Sequence, residues 1–363
     1  MHKAVIVRAK RTPIGRKGGL LKNVDVDGLA RPVLQHVSAG IEDDVCDVIL
    51  GNVVGPGGNV ARLCALDAGL PLSVTGMTID RQCSAGLEAI RTACYFVQGG
   101  AGECYIAGGV ESASRSPFPH RARFAPDALG DPEMGEAAEL VAEKYGVSRE
   151  RQDALALASY ERSWRAHEAG VFAEELVPVG LVREDEVFGR KREMRRLVER
   201  AKPVFVSGGT VTAANSCGVN DGAGAVVVMS ERMAEARGLA PVLRFVDSEV
   251  TGVDPRYPGI APVPAVRRLL ARNGLGVNEI DQVELNEAFA AKVAACVQEL
   301  GLREDRLNVH GGAIAIGHPY GASGAILVTR LYFEALRNPE TQYFLAAMGS
   351  GGGIGTAVLF EKV

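Results

Sequence analysis

The sequence predicts an α/β fold in which two pseudo-symmetric βα halves flank an inserted lobe. Three observations lead there: strand-like runs alternate with helix-periodic ones, the two ends of the chain repeat each other in order, and the stretch between them changes character. Asp47-Val48-Ile49-Leu50-Gly51-Asn52 is matched by Asp281-Gln282-Val283-Glu284-Leu285-Asn286. Ser84-Ala85-Gly86 is matched by Ala322-Ser323-Gly324, and Tyr105-Ile106-Ala107 by Phe344-Leu345-Ala346. Matches kept in one order at nearly constant spacing predict two halves, each with its own sheet.

Residues 1–111 and 206–235 are read as the N-terminal half. Within it, Met1 to Val7 runs straight into a strand pattern rather than a signal sequence. Leu87, Ile90, Cys94 and Val97 recur at helical spacing after Cys83, and Gly99-Gly100 ends that helix. Residues 112–205 are the inserted lobe, expected to lie over the first half. Its Ser114–Pro132 stretch is rich in Arg, Pro and Phe. One helix follows near Gly135–Tyr145 and stops at Gly146; Ser148 caps a second, which carries Leu155, Leu157, Ala158 and Trp164 to a stop at Gly170. The basic run Arg190, Lys191, Arg192, Arg195, Arg196, Arg200 and Lys202 reads as a solvated face or as a phosphate site. Residues 236–363 form the C-terminal half.

A chain of 363 residues, 47% hydrophobic, can bury a large core. The net charge of −4 gives no electrostatic reason to expect nucleic acid, and no nucleic-acid motif occurs. No apolar run approaches the roughly 18 residues that span a bilayer. The seven cysteines contain no Cys-x-x-Cys pair, so neither a disulfide framework nor a zinc site is suggested. These features predict a soluble, unprocessed cytoplasmic protein, with no metal and no membrane or nucleic-acid partner.

Two small-residue turns carry the chemistry. Arg81-Gln82-Cys83-Ser84-Ala85-Gly86 places Cys83 at a helix start, where unpaired amides favour a thiolate. Gly311–Gly324 places His318 in a loop of Gly, Ala and Ser, open to close approach by a ligand. Cys83 and His318 therefore read as nucleophile and base, against the plainer alternatives of a structural cysteine and a core histidine. Asn286 follows a strand and is either a helix N-cap or a site residue. Gly349-Ser350-Gly351-Gly352-Gly353 is followed by a strand, not a helix, so it reads as a turn whose amides can hold an oxyanion rather than as a dinucleotide motif.

These stretches, with Arg11-Thr12-Pro13-Ile14-Gly15, Gly108-Gly109-Val110-Glu111-Ser112, Thr210 to Asn215 and Asn220-Asp221-Gly222-Ala223, resemble the thiolase family along essentially the whole chain. The resemblance implies a five-layered αβαβα arrangement and an acyl-CoA C-acyltransferase of the acetyl-CoA acetyltransferase or 3-ketoacyl-CoA thiolase type. Coenzyme A thioesters would be its substrates, with no resident cofactor, and it would form a homodimer or homotetramer. By the same resemblance Cys83 becomes acylated and His318 takes its proton. Asn286 holds a water in one oxyanion hole with His318, and the amides of Cys83 and Gly351 form the other. Lys202, Met134 and Ser248 are the expected coenzyme A contacts. Where the family carries a second cysteine that moves a proton at the reacting carbon, this chain has Gly349, and Cys217 is only a remote substitute. A thioesterase, an acyltransferase without carbon–carbon chemistry, or a binding protein is therefore the competing expectation. Restoring a cysteine at Gly349 is expected to raise thiolysis or condensation, provided the glycine is not held at positive φ.

Overall fold

The computed structural model describes residues 2–363. The first half supplies β1 (Ala4–Arg11), β2 (Gly15–Arg16), α1 (Val26–Ser38), β3 (Asp47–Gly51), α2 (Val60–Asp67), β4 (Thr75–Ile79), α3 (Ala85–Gly99) and β5 (Cys104–Ser112). The lobe carries α4 (Met134–Tyr145), α5 (Arg149–Glu168) and α6 (Met194–Arg200). The chain then returns with β6 (Asn220–Ser230) and α7 (Glu231–Ala236). The second half follows as β7 (Leu243–Gly252), α8 (Pro262–Arg272), β8 (Gln282–Leu285), α9 (Ala290–Leu300), α10 (Ala313–Ile316), α11 (Tyr320–Arg337), β9 (Tyr343–Ser350) and β10 (Ile354–Lys362).

The repeat seen in the sequence is a repeat of topology. In the first half the strands lie in the order β4-β3-β5-β6-β1, with β3 parallel to β4 and β5, and β6 antiparallel to β5 and β1. In the second half β8 and β9 are parallel, and β10 runs antiparallel to β9 and β7. A single parallel bridge from Leu307 to Val283 stands where β4 stands in the first half. The two sheets are not separate, however. β1 and β7, each the edge of its own half, pair over Val5↔Arg244 and Ile6↔Leu243 and so satisfy each other's backbone groups, joining all ten strands.

Strand alternation builds the layers. Val226 and Val228 of β6 face α3 and α11 in the middle of the molecule, whereas Ala225, Val227 and Met229 face α1 and α2 outside. In β9, Phe344, Ala346 and Met348 face the same middle layer, and Leu345 and Ala347 face the outer helices α8 and α9. The resulting order is helix, sheet, helix, sheet, helix. The repeated Gly86 and Gly324 lie where α3 and α11 touch: a Cβ on Gly324 would sit 2.2 Å from the Leu87 nitrogen, and one on Gly86 2.4 Å from the Gly321 oxygen.

The lobe lies over both halves rather than over the first alone: the Ser114 N–H donates to Asp221 of β6 and Glu186 accepts the Arg16 N–H of β2, but its helices pack on the second half. Ala138, Val141 and Ala142 of α4 and Leu155, Ala156 and Tyr160 of α5 join Val293, Ala294 and Val297 of α9 in the outer core of the second half. The apolar faces of α4 and α5 are buried there by α9. Arg11 tethers the lobe back to β1 through buried ion pairs to Glu175 (2.6 Å) and Asp185 (2.7 Å). Glycines end the lobe helices where the sequence placed them: Gly146 is left-handed at φ 63°, and Gly170 at φ 72°. Among the described residues no helix is long and apolar enough to cross a membrane.

Candidate active site

Cys83 sits on a strained turn between β4 and α3. The Asp80 carboxylate accepts the Gln82 N–H at 2.7 Å and holds that residue at φ 49°, a left-handed conformation uncommon outside glycine. Ser84 then caps α3. Its N–H donates to the Ser350 hydroxyl at 3.0 Å, and the two hydroxyls are themselves hydrogen-bonded. The cysteine turn is thereby fastened to the end of β9, next to the Gly351–Gly353 turn. That turn closes a β9–β10 hairpin, in agreement with the strand expected there. Phe124 of the lobe packs over it, with its ring 2.8 Å from where a Gly351 Cβ would be.

His318 is fixed from both ends. Gly317 has φ 110°, and a Cβ on it would overlap the Asn220 side chain at 2.3 Å, so the loop requires glycine. Asn220 Oδ1 accepts the His318 N–H at 2.9 Å. The ring Nδ1 lies 2.6 Å from the Ser323 hydroxyl, and Nε2 lies 3.4 Å from Asn286 Nδ2. When Nδ1 carries the proton and donates it to Ser323, Nε2 is free to accept one. Asn286 is not a helix N-cap, because α9 begins only at Ala290 with Phe289 at its cap. Its N–H donates to the Ala347 carbonyl, while its buried side-chain Oδ1 has no partner. A buried acceptor without a partner is a place for a water.

The electrostatics revise the expectation of a thiolate. Burial pushes the Cys83 thiol up to about 11, outweighing the nearby Lys292 charge that pulls it down. Burial and the same lysine push His318 down to about 3. At neutral pH the pair is therefore thiol and neutral imidazole, and the proton must move during attack. Among the described residues no hydrogen bond joins the two side chains directly, and the Lys292 charge bears on both.

Lys292 is the residue that sequence reasoning missed. It lies on α9, 2% exposed, and its Nζ donates to the Gly349 carbonyl at 3.4 Å. Burial holds its ammonium below the usual lysine range, and the groups that favour its charge are the thiols of Cys296, Cys83 and Cys217. A lone lysine in the small apolar run Ala290 to Val297 was the available signal. The Cys217 N–H donates to the Ala288 carbonyl, two residues before that run, and its thiol is pushed up to about 12 by burial and Cys83.

The remaining expected residues divide. Gly349 is brought to this space, but a Cβ there would meet the Pro258 carbonyl oxygen at 2.5 Å and Pro262 Cδ at 3.0 Å. A cysteine at this position would require the Pro258–Pro262 turn to shift. Met134 begins α4, half-buried, and Lys202 is exposed just beyond α6. Ser248 falls outside the site: it is buried on β7, accepting from Arg91 Nε at 2.7 Å and donating to the Tyr95 hydroxyl at 2.9 Å. A cleft of about 400 Å³ lined by Arg16, Lys17, Arg192, Met194, Ser216 and Gly317 reaches the His318 loop from the lobe.

Residues 4–232 match the thiolase N-terminal domain and residues 239–362 the thiolase C-terminal domain. The chain is 57% identical over 359 residues to YhfS of Bacillus subtilis (strain 168), a protein provisionally named acetyl-CoA C-acetyltransferase, with 99% of each chain covered. It is 45% identical over 386 aligned positions to VraB of Staphylococcus aureus (strain MSSA476), which carries the same provisional name, with 100% of each covered. The crystal structure of the Bacillus anthracis acetyl-CoA acetyltransferase superposes with a TM-score of 0.95 at 38% identity, covering 100% of this chain and 99% of that one.

Proposed function

The chain belongs to the thiolase family and is an acyltransferase, and from that premise we propose that it transfers acyl groups between coenzyme A thioesters through an acyl-Cys83 intermediate, in thiolysis or Claisen condensation. The observation that carries this reading is the convergence of the Cys83 turn, the His318 loop and the glycine hairpin, with Ser84 bonded to Ser350 and His318 beside Asn286. His318 Nε2 takes the thiol proton as sulfur attacks the thioester. The unpartnered Asn286 Oδ1 supports a water held as one oxyanion donor. The amides of Cys83 and Gly351 are the other donors, each worth roughly 3 to 4 kcal/mol in the transition state.

Coenzyme A is read onto the lobe. Lys202 is exposed at the end of the basic run, followed by exposed Val204, Phe205 and Val206. The Phe205 ring meets Phe289, three residues from Asn286, edge to face with centroids 5.9 Å apart. Charge for phosphates thus adjoins an apolar path toward the reacting groups. A second copy of the chain is expected along β4, an edge strand flanked by exposed Leu63, Leu66 and Leu72. Seven free cysteines suit a reducing cytoplasm, and short-chain or fatty acyl-CoA metabolism is the role this chemistry would serve.

Intact-mass analysis after mixing with acetyl-CoA or acetoacetyl-CoA tests the reading: an acyl adduct should appear on Cys83 and vanish in Cys83→Ala. Coenzyme A binding without any adduct would point to a binding protein instead. The bare Gly349 favours a second reading, a thioesterase or acyltransferase without carbon–carbon chemistry. Release of coenzyme A from acetyl-CoA, with no thiolysis of acetoacetyl-CoA, would select it.

A further inference from the structure

Carbon–carbon chemistry on an acyl-cysteine needs a group that gives and takes a proton at the carbon next to the thioester, and the backbone beside Gly349 leaves no room for a side chain to do so. One buried side chain reaches Gly349 from another direction. Lys292 enters from α9, passes Gly259, and ends at the Gly349 carbonyl. No carboxylate among the described residues forms an ion pair with it, and its one protein acceptor is at 3.4 Å. A buried ammonium without a counter-ion is costly, so a purely structural role for it is hard to sustain.

We propose that the Lys292 amine is the proton donor and acceptor at the reacting carbon, acting in place of the side chain that Gly349 lacks. This rests on the reading of Cys83 as the acylated nucleophile. In thiolysis, His318 takes the Cys83 proton and sulfur adds to the 3-keto carbon of the 3-ketoacyl-CoA. The C2–C3 bond then breaks, its electron pair passing to the acetyl-CoA enolate, and the Lys292 ammonium protonates C2. Acetyl-CoA leaves, and the lysine is neutral. The incoming coenzyme A thiol gives its proton to this amine, its sulfur attacks the acyl-Cys83 carbonyl, and the departing Cys83 sulfur recovers its proton from His318. Condensation runs the same steps backwards.

Burial favours the neutral amine, which suits a base for a carbon acid. The titratable groups that its charge bears on are Cys83 and His318 from the two turns, Cys217 from the segment before β6, and Cys296 on its own helix. Cys217 is the rival for the role, but its thiol is pushed up to about 12 and its hydrogen bonding is through backbone.

The test separates half-reactions in the full-length enzyme. Exchange of acetyl-CoA methyl protons in D₂O and thiolysis of acetoacetyl-CoA report the carbon step; the initial mass adduct on Cys83 reports acylation. Lys292→Met, an apolar replacement of similar size, should fold at least as stably as the parent. It should lose methyl exchange and thiolysis by about 10² to 10⁴-fold while Cys83 acylation changes less than about tenfold. Lys292→Arg keeps the charge but cannot release a proton, so exchange should stay lost, whereas Cys217→Ser should retain it. Undiminished exchange in Lys292→Met, recovery in Lys292→Arg, or parallel loss of acylation and exchange would overturn the proposal. A parent enzyme that acylates Cys83 but never exchanges methyl protons would sink this proposal alone. A parent that forms no adduct would sink the nucleophile reading beneath it.

Discussion

The Ser350 hydroxyl accepts the N–H of Ser84 at 3.0 Å across 266 positions of sequence. This bond and the one between the two hydroxyls fasten the turn that carries the nucleophile to the hairpin that carries Gly351. Oxyanion donors act only at fixed separation, and here the two amides come from different halves of the molecule. Ser350 has no side-chain acid or base role in this arrangement; it sets a distance.

Ser350→Ala should therefore cost about 1 to 3 kcal/mol of stability, because it strips a buried hydroxyl and amide of their partner. Urea unfolding gives the first quantity, and stopped mass analysis of Cys83 acylation gives the second, which should slow while coenzyme A affinity holds. An unchanged unfolding midpoint with unchanged acylation would show that the contact orders nothing.

The protonation states make a pH prediction. With the thiol at about 11 and the imidazole at about 3, neither group changes charge between about pH 5 and 9. Alkylation of unacylated Cys83 by iodoacetamide, followed on its own peptide, should climb steadily toward alkaline pH with no plateau near neutrality. A plateau below about pH 8.5, the ordinary thiol value, would mean that a thiolate is already present and that the helix start outweighs burial.

Gly349→Cys is expected to destabilise the protein without raising thiolysis. The new Cβ would stand 2.5 Å from the Pro258 carbonyl oxygen, a backbone atom that moves only with the whole Pro258–Pro262 turn. Cores tolerate such insertions at a cost of about 1 to 3 kcal/mol. Faster acetoacetyl-CoA cleavage by a stably folded Gly349→Cys enzyme would show that the turn gives way.

What the sequence disclosed and what it hid follow a physical pattern. Gly317, Gly146 and the Gly351 turn were legible because each backbone conformation there demands one residue type. The duplicated halves were legible because Gly86 and Gly324 must both be small where α3 meets α11. The β1–β7 junction was not, since edge pairing leaves no mark in either strand. Cys83 was placed correctly at its helix start, but its ionisation depends on how much of the molecule closes over it. Lys292 showed only as a lone charge in an apolar run, for the same reason: the packing of α9 against Gly259 and Gly349 is what turns an ordinary lysine into a buried amine.

Glu284 carries the last prediction. It lies on β8, two residues before Asn286, fully enclosed, with Oε2 lacking any partner. Burial lifts its carboxyl to about 8, although the Arg330 charge opposes the shift. In the unfolded chain the same group titrates near ~4.3. Between those values the folded state holds a proton that the unfolded state has lost, so the stability Glu284 contributes is complete at low pH and drains away as pH rises through the window. Glu287 and Glu334 lie close enough to couple, so the window belongs to the cluster rather than to one residue. Glu284→Gln keeps the shape and removes the titration. Urea unfolding from about pH 5 to 9 should therefore show the variant gaining on the parent as pH increases, by up to about 1.4 kcal/mol per unit within the window. Parallel stability curves for the two proteins would mean that Glu284 is ionised in the fold throughout, held so by Arg330.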